Sequence, residues 1–212
     1  MDKTTTEITH EYIKEHVDVK SCLKKGLINY SSLSRMIAKE LNIEKKTSKE
    51  AILIAARRFK EKLKSEINNE KKIKTLLAES EIEIKNKITI FIFEKGLNFD
   101  QLYGIEKQIK KESGIYYLLE GSSHYYLIIQ DKYSSEIKKK FSNYIIKTHV
   151  NQALIAYKSP EYIEQTIGVV AYLASLFNEH GVNMTEVMSF WTDTLFIINN
   201  EDVNKTMSFL KF

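Results

Sequence analysis

A glycine near the start of a predicted helix is the first candidate for contact with a small ligand. Gly168 precedes the apolar run that should form this helix. Because glycine has no Cβ, the backbone there could approach a ligand or another backbone closely. The free amides and partial positive charge of a helix N-terminus favour a carboxylate at such a place. The alternative is that Gly168 only serves packing.

A polar residue at the start of the next predicted strand could complete this site. Asn183 follows Gly181, and its side-chain amide offers both donors and an acceptor to a small molecule. It could instead only stabilise the turn at Gly181. The candidate ligand-binding residues are Ile167, Gly168, Val169, Asn183, Met184 and Thr185.

Basic residues concentrate in the first third of the chain. Residues 1–75 carry 18 Lys and Arg against 11 Asp and Glu, whereas residues 76–212 carry 14 against 17. A positive surplus attracts nucleic acid because neutralised phosphates release counterions, but it also suits a solvated helix face. The candidate nucleic-acid contacts are Arg57, Arg58, Lys60 and Lys64.

The sequence contains no motif that predicts catalysis or metal binding. The five histidines form no HxH or HExxH pattern and no metal-ligand spacing with the single cysteine, Cys22. The GxSxG motif and the phosphate-binding and dinucleotide glycine motifs are missing as well. We therefore predict no enzyme activity, no catalytic residue, no metal and no cofactor.

Composition places the chain among globular proteins. Of its 212 residues, 43% are hydrophobic and 28% are charged. No run approaches the roughly 20 apolar residues of a membrane span, and the N-terminus is polar rather than an export signal. We expect a compact cytoplasmic protein without membrane contact.

Residues 1–78 are predicted to form a basic helical domain. Apolar residues at helical spacing indicate helices before and after a turn at 28–31, and Ser31 or Ser32 should cap the second of these helices. A third helix follows a turn at 42–46. The second and third helices resemble a helix-turn-helix, although the turn is longer than usual.

The third helix has the clearest sequence signals in this region. Thr47 and Glu50 match a capping box at its start, in which each side chain satisfies an amide of the other residue. The residues of its buried stripe should be Ile52, Ala55, Ala56, Phe59 and Leu63.

The hydrophobic period becomes two residues after Glu79, which indicates strands. Residues 79–150 should form a βαββα unit closed by a strand at 144–150. Residues 151–212 repeat the order but leave no room for a closing strand. We expect residues 81–85 to complete that second sheet.

Three segments of the second repeat follow the pattern of a known family. They are Thr166-Ile167-Gly168-Val169-Val170-Ala171, Glu179-His180-Gly181-Val182-Asn183-Met184-Thr185-Glu186-Val187 and Asp193-Thr194-Leu195-Phe196-Ile197-Ile198. Residues 151–212 thereby resemble an ACT domain of the aspartokinase type, in which a glycine enters the first helix and Gly-Val-Asn or Gly-Ile-Asn follows it. Residues 86–150 resemble the family in element order only.

The resemblance implies an α+β fold with a helical N-terminal region and two ferredoxin-like, ACT-like units. It also implies a non-catalytic, allosteric homodimer whose effector, an amino acid, changes how the helical region meets its target. The target could be DNA, which would make the chain a transcriptional regulator, or a partner enzyme of which it would be the regulatory subunit. The other interpretation is a scaffold that dimerises without a ligand.

Overall fold

The computed structural model describes residues 3–63 and 67–212, and for residues 67–69 it describes the backbone alone. The chain divides between Lys71 and Lys72 into a helical unit and a sheet unit. Within the described residues, no helix is both long and apolar enough to cross a membrane.

Residues 3–63 of the helical unit contain four helices whose apolar faces form one core. The helices are α1 (Thr5–Glu15), α2 (Val17–Lys25), α3 (Tyr30–Glu40) and α4 (Lys49–Leu63). All five residues of the predicted stripe on α4 are buried, so that prediction is confirmed. Four of them, all except Ala55, pack with apolar residues from the other three helices, among them Ile13, Leu23 and Ile37.

The N-cap predicted for α3 was wrong by two or three residues. The Asn29 side-chain oxygen accepts hydrogen bonds from the amides of Ser31 and Ser32, at 3.0 and 3.1 Å. The helix therefore begins at Tyr30, before either predicted serine. Asparagine is as good an N-cap as serine, and it comes first along the chain.

The capping box predicted at the start of α4 is also displaced. Ser48, not Thr47, accepts the hydrogen bond of a first-turn amide, that of Ala51, at 3.1 Å. The Thr47 hydroxyl instead lies 3.1 Å from the hydroxyl of Thr5 on α1. A tertiary contact thus takes the side chain that local sequence assigned to the cap.

The sheet unit contains six antiparallel strands in the order β2-β3-β1-β4-β6-β5. Its helices are α5 (Ile67–Ala78), which begins before the division at Lys72, α6 (Phe99–Lys111), α7 (Ser134–Phe141), α8 (Val169–Glu179) and α9 (Val203–Phe209). Its strands are β1 (Glu81–Glu94), β2 (Tyr116–Glu120), β3 (His124–Gln130), β4 (Ile145–Lys158), β5 (Met184–Phe190) and β6 (Asp193–Asn199). The fold is α+β, and the βαββα order occurs twice, as predicted.

Two strands of 14 residues, β1 and β4, run through both repeats. The first half of β1 pairs with the second half of β4, from Glu81 opposite Lys158 to Lys85 opposite Leu154. Residues 81–85 therefore complete the second repeat, which confirms that prediction. The strand expected at 144–150 and the next one are a single strand, so the boundary expected between residues 150 and 151 lies inside β4.

A positive φ interrupts each long strand at its seventh residue. Lys87 has φ 58° and Asn151 has φ 55°, and the pairing register between β1 and β4 shifts nearby. An irregularity of this kind exchanges the faces to which alternate side chains point. Ile82 and Ile84 thus face the helices before the shift, whereas Phe91 faces them after it.

The helices α5 to α9 pack on one face of the sheet. The side chains of α5, α8 and α9 form a core with the second repeat, and those of α6 and α7 form a core with the first. The opposite face, here called the back face, has its own apolar cluster around Ile88, Leu154 and Leu195, to which no described helix contributes. Across this face, ring centroids of Tyr117 and Phe190 from the two edge strands lie 6.3 Å apart, so the sheet curves strongly.

The domain boundary expected after residue 78 was wrong, because most of α5 belongs to the sheet unit, which begins at Lys72. Ile73, Leu76 and Leu77 are buried among the side chains of the second repeat, and they belong to the sheet unit rather than to the helical unit. Helical periodicity alone could not distinguish these two surroundings, because both bury one face of the helix.

Candidate functional site

Gly168 is the N-cap of α8 and has a left-handed backbone, with φ 93° and ψ 8°. An L side chain rarely adopts this conformation, which explains the glycine. A Cβ built on Gly168 would meet only the Ile73 Cδ1 atom, at 3.6 Å, which is an ordinary contact. Backbone conformation rather than lack of space therefore requires glycine here. The helix begins at Val169, directly after Gly168, and a 3-10 turn precedes it at residues 161–165.

The first turn of α8 lies beside an open depression of about 260 Å³. No side chain caps the helix, so its first amides have no intrahelical or capping partner. Thr166, Ser189, Glu164 and the largely exposed Trp191 are among the residues that line the depression, and the Thr166 hydroxyl donates to the Tyr162 carbonyl oxygen at 3.0 Å. Amides and hydroxyls can hold a carboxylate, while Glu164 and the indole face can receive an ammonium group.

The structure brings together only part of the predicted ligand site. Gly168 and Val169 line the depression, although the Val169 side chain is buried in the core. Ile167 is 79% exposed. It does not line the depression.

The other three predicted residues lie at the far end of α8. Asn183 is exposed, Met184 packs on the core below α8, and the Thr185 hydroxyl donates to the Gln152 side-chain oxygen at 2.7 Å. A helix of 11 residues is about 16 Å long, and β5 begins only after α8 has ended. Within one chain, a small ligand cannot contact both groups of predicted residues.

Seven of the nine residues that line the depression were not among the predicted ligand contacts, and they include Glu164, Ser189 and Trp191, which come from outside α8 and its N-cap. Ser189 and Trp191 come from the β5–β6 hairpin, whose tip lies at the N-terminal end of α8, and Glu164 comes from the 3-10 turn. Trp191 has a positive φ of 47°, which fits a tight turn. One sign of this site was present in the sequence: a large aromatic residue, Trp191, is unusual in a two-residue hairpin turn.

The basic candidates lie on α4 in the helical unit. Arg57, Arg58 and Lys60 line a second open depression, of about 360 Å³, together with Tyr30 and Glu61. The Arg57 guanidinium lies 5.3 Å from the centroid of the Tyr30 ring. Lys64, the fourth candidate, lies outside the described residues. Among the described side chains, no group of three or more His, Cys, Asp or Glu could hold a metal ion.

Comparisons with known proteins give similarity in structure alone. No protein-family model matches the sequence, and no curated protein matches it. The solved aspartate kinase of Clostridium acetobutylicum, described as an allosteric enzyme, is 19% identical with a TM-score of 0.49; the match covers 61% of this chain and 33% of the enzyme. The likeness is one of fold.

Two regulatory pieces of aspartate kinases are similar over nearly their whole length. A C-terminal regulatory domain from Porphyromonas gingivalis is 14% identical, with a TM-score of 0.46, over 63% of this chain and 95% of that domain. The ligand-free regulatory subunit from Thermus thermophilus is 10% identical, with a TM-score of 0.44, over 59% of this chain and 90% of that subunit. The chain spans about a third of the Clostridium enzyme. The predicted resemblance to the C-terminal domains of aspartate kinases is confirmed as a similarity of fold.

Proposed function

We propose that this chain is a non-catalytic regulatory protein whose sheet unit binds an amino acid at the start of α8. The observation that carries the proposal is a helix N-terminus with no capping side chain beside an open, partly polar depression. The amino acid's carboxylate would accept hydrogen bonds from the first amides of α8 and from the Ser189 hydroxyl. Its ammonium group would lie between Glu164 and Trp191.

Regulation requires that the ligand bind one state of the protein more tightly than another. We propose that the protein is a homodimer and that Asn183, Met184 and Thr185 of one copy approach the α8 start of another. Binding there would link ligand occupancy to the arrangement of the copies. The target affected is then DNA or a partner enzyme of which this chain is the regulatory subunit.

A dimerisation scaffold that binds no ligand is the alternative function. It would favour side chains that fill the space beside Gly168. The nearest atom to a Cβ at that position is Ile73 Cδ1, on the core side, and the depression is open on the other side. An unfilled polar depression supports ligand binding over the scaffold.

A thermal-shift screen of the twenty amino acids tests the proposal. At a concentration 100 times its Kd, a bound amino acid stabilises the folded state by about 2.7 kcal/mol, which corresponds to roughly 5–10 °C in Tm for a protein of this size. Ala171→Leu should reduce the shift by the part that comes from binding at α8, because Ala171 lines the depression. Ser175→Leu should keep the shift, since Ser175 is exposed one turn further along α8. The scaffold would be supported if no amino acid shifted the Tm of the wild type.

Duplex DNA is the second candidate partner, and α4 is the observation that favours it. Arg57, Arg58 and Lys60 present three positive charges around one depression. We expect weak binding whose logarithm falls with the logarithm of salt concentration by about 0.9 per neutralised phosphate. Fluorescence anisotropy at low salt should show at least a tenfold loss of affinity in Arg57→Glu/Arg58→Glu.

The matched control for the DNA experiment is the double variant Lys45→Glu/Lys46→Glu. It makes the same change in net charge at two exposed lysines outside α4. If both double variants lose affinity equally, the attraction comes from net charge rather than from α4. Absence of binding by the wild type at low salt would exclude the transcriptional role.

A further inference from the structure

A separate cavity of about 370 Å³ lies on the back face of the sheet unit. Its volume is within the range of about 300–1,000 Å³ that is common for small-molecule pockets. Strands β1, β4 and β6 provide its floor, and Ile115 and Tyr117 line it from the segment around β2. This cavity shares no lining residue with the depression at the start of α8.

Three rows of residues cross β1, β4 and β6 in the register of the sheet. The rows are Glu81, Lys158 and Asp193; Glu83, Ala156 and Leu195; and Lys85, Leu154 and Ile197. The first row is wholly charged, whereas the β4 and β6 members of the other two rows are apolar. The cavity therefore has a charged end and an apolar floor.

The small side chain of Ala156 leaves space in the floor of the back-face cavity. This residue occupies the middle position of the second row, between Glu83 and Leu195, and its single methyl group leaves the cavity open there. Its neighbours along β4, Ile155 and Tyr157, point to the helix side and are fully buried. A larger side chain at position 156 would enter the cavity without entering the helix-side core.

The charged row is not neutralised by ion pairs of its own. Among the described residues, Glu81, Lys158 and Asp193 form no ion pair within 4.0 Å, although they are neighbours across the strands. Lys85 and Glu83 do pair with each other, at 3.1 Å. One ammonium and two carboxylates at the charged end thus remain for a ligand.

Two other features supply hydrogen-bonding groups. The half-buried Tyr117 hydroxyl has a raised pKa, mainly because burial disfavours its charged form, so it stays protonated at neutral pH. Strand β3 pairs with β1 only from Ile88 to Glu94, so among described strands residues 81–85 have a partner, β4, on one side alone. The other edge of this segment leaves backbone amides and carbonyls unpaired by a strand.

We propose that the back-face cavity binds a small zwitterion, a free amino acid with a short aliphatic side chain. Lys158 pairs with its carboxylate, Asp193 and Glu81 receive its ammonium group, and Ala156, Leu154 and Leu195 contact its side chain. This site is additional to the one proposed at α8.

Titration of the full-length, 15N-labelled chain with free alanine, valine and leucine tests this inference. Saturable amide shifts should map to residues 81–85, 154–158 and 193–195. The N-acetyl and the carboxamide forms of the same amino acids, which each lack one charge, should bind at least tenfold more weakly. Absence of saturable shifts in these three segments with all three amino acids would overturn the inference.

Variants separate the two proposed sites. Ala156→Leu should weaken binding at least tenfold, and Ser175→Leu should leave it unchanged. If Ala156→Leu does not fold, Lys158→Met and Asp193→Asn provide the same test because neither side chain is buried. Binding that survives these changes and disappears in Ala171→Leu would place the amino acid at α8, which overturns this inference and supports the proposed function.

Discussion

A fragment of residues 72–212 should fold by itself, whereas a fragment of residues 79–212 should lose most of its stability. The shorter fragment lacks Ile73, Leu76 and Leu77 of α5, which are at most 5% exposed in the core of the second repeat. Removing one buried Leu or Ile side chain typically costs about 2–5 kcal/mol, and a whole domain has only about 5–15 kcal/mol. Circular dichroism during urea titration would compare the two fragments.

Point variants test the same role of α5 in the intact chain. Leu76→Ala should lower the free energy of unfolding of the sheet unit by about 2–5 kcal/mol, because the Leu76 side chain is fully buried. Ile167→Ala is the matched control: its side chain is 79% exposed, so the change should stay within about 0.5 kcal/mol. Equal stability of the two fragments, or of the two variants, would show that α5 does not belong to this core.

Gly168→Ala should destabilise the sheet unit by about 1–3 kcal/mol through backbone strain, and Gly168→Val should destabilise it further because Val is β-branched. The cause is the φ of 93° rather than a clash, since a Cβ there makes only an ordinary contact. Both variants should also weaken amino-acid binding at α8, because relief of the strain would turn the first amides of the helix. Chemical denaturation measures the first effect, and the thermal-shift screen measures the second.

Gly104 provides the control for this glycine experiment. It lies in the middle of α6, has no positive φ, and a Cβ built on it meets no atom within 4 Å. Gly104→Ala should therefore stabilise the protein by about 0.5–1 kcal/mol, because alanine loses less backbone entropy than glycine in a helix. A loss of stability in Gly104→Ala equal to that in Gly168→Ala would contradict the assignment of strain to Gly168.

Element order could be predicted because it depends on local periodicity. Alternating apolar and polar residues predicted the strand β1, and the apolar stripe on α4 predicted both that helix and its buried face. The continuity of β4 could not be predicted, because a residue such as Asn151 is also typical of turns. Residues 145–158 form the single strand β4 because they pair with β1 along their whole length.

The candidate sites also contain one part that local sequence could predict and another that depends on the tertiary structure. Gly168 could be recognised because a glycine before a helix signals a local backbone requirement, which the structure shows as a positive φ. The separation of Gly168 and Asn183 follows from the length of α8, because one residue precedes this helix of 11 residues and the other follows it. The charged row of the back face joins residues that are far apart in sequence, and only strand register makes neighbours of Glu81, Lys158 and Asp193.

The long strands give the sheet unit the architecture of a strand-exchanged dimer contained in one chain. Each repeat donates the first half of its leading strand to the other, around an approximate twofold axis between Lys87 and Asn151. Neither repeat can therefore swing away from the other as a hinged domain without breaking the β1–β4 ladder. Any signal that passes between the repeats must do so by bending or twisting this shared ladder.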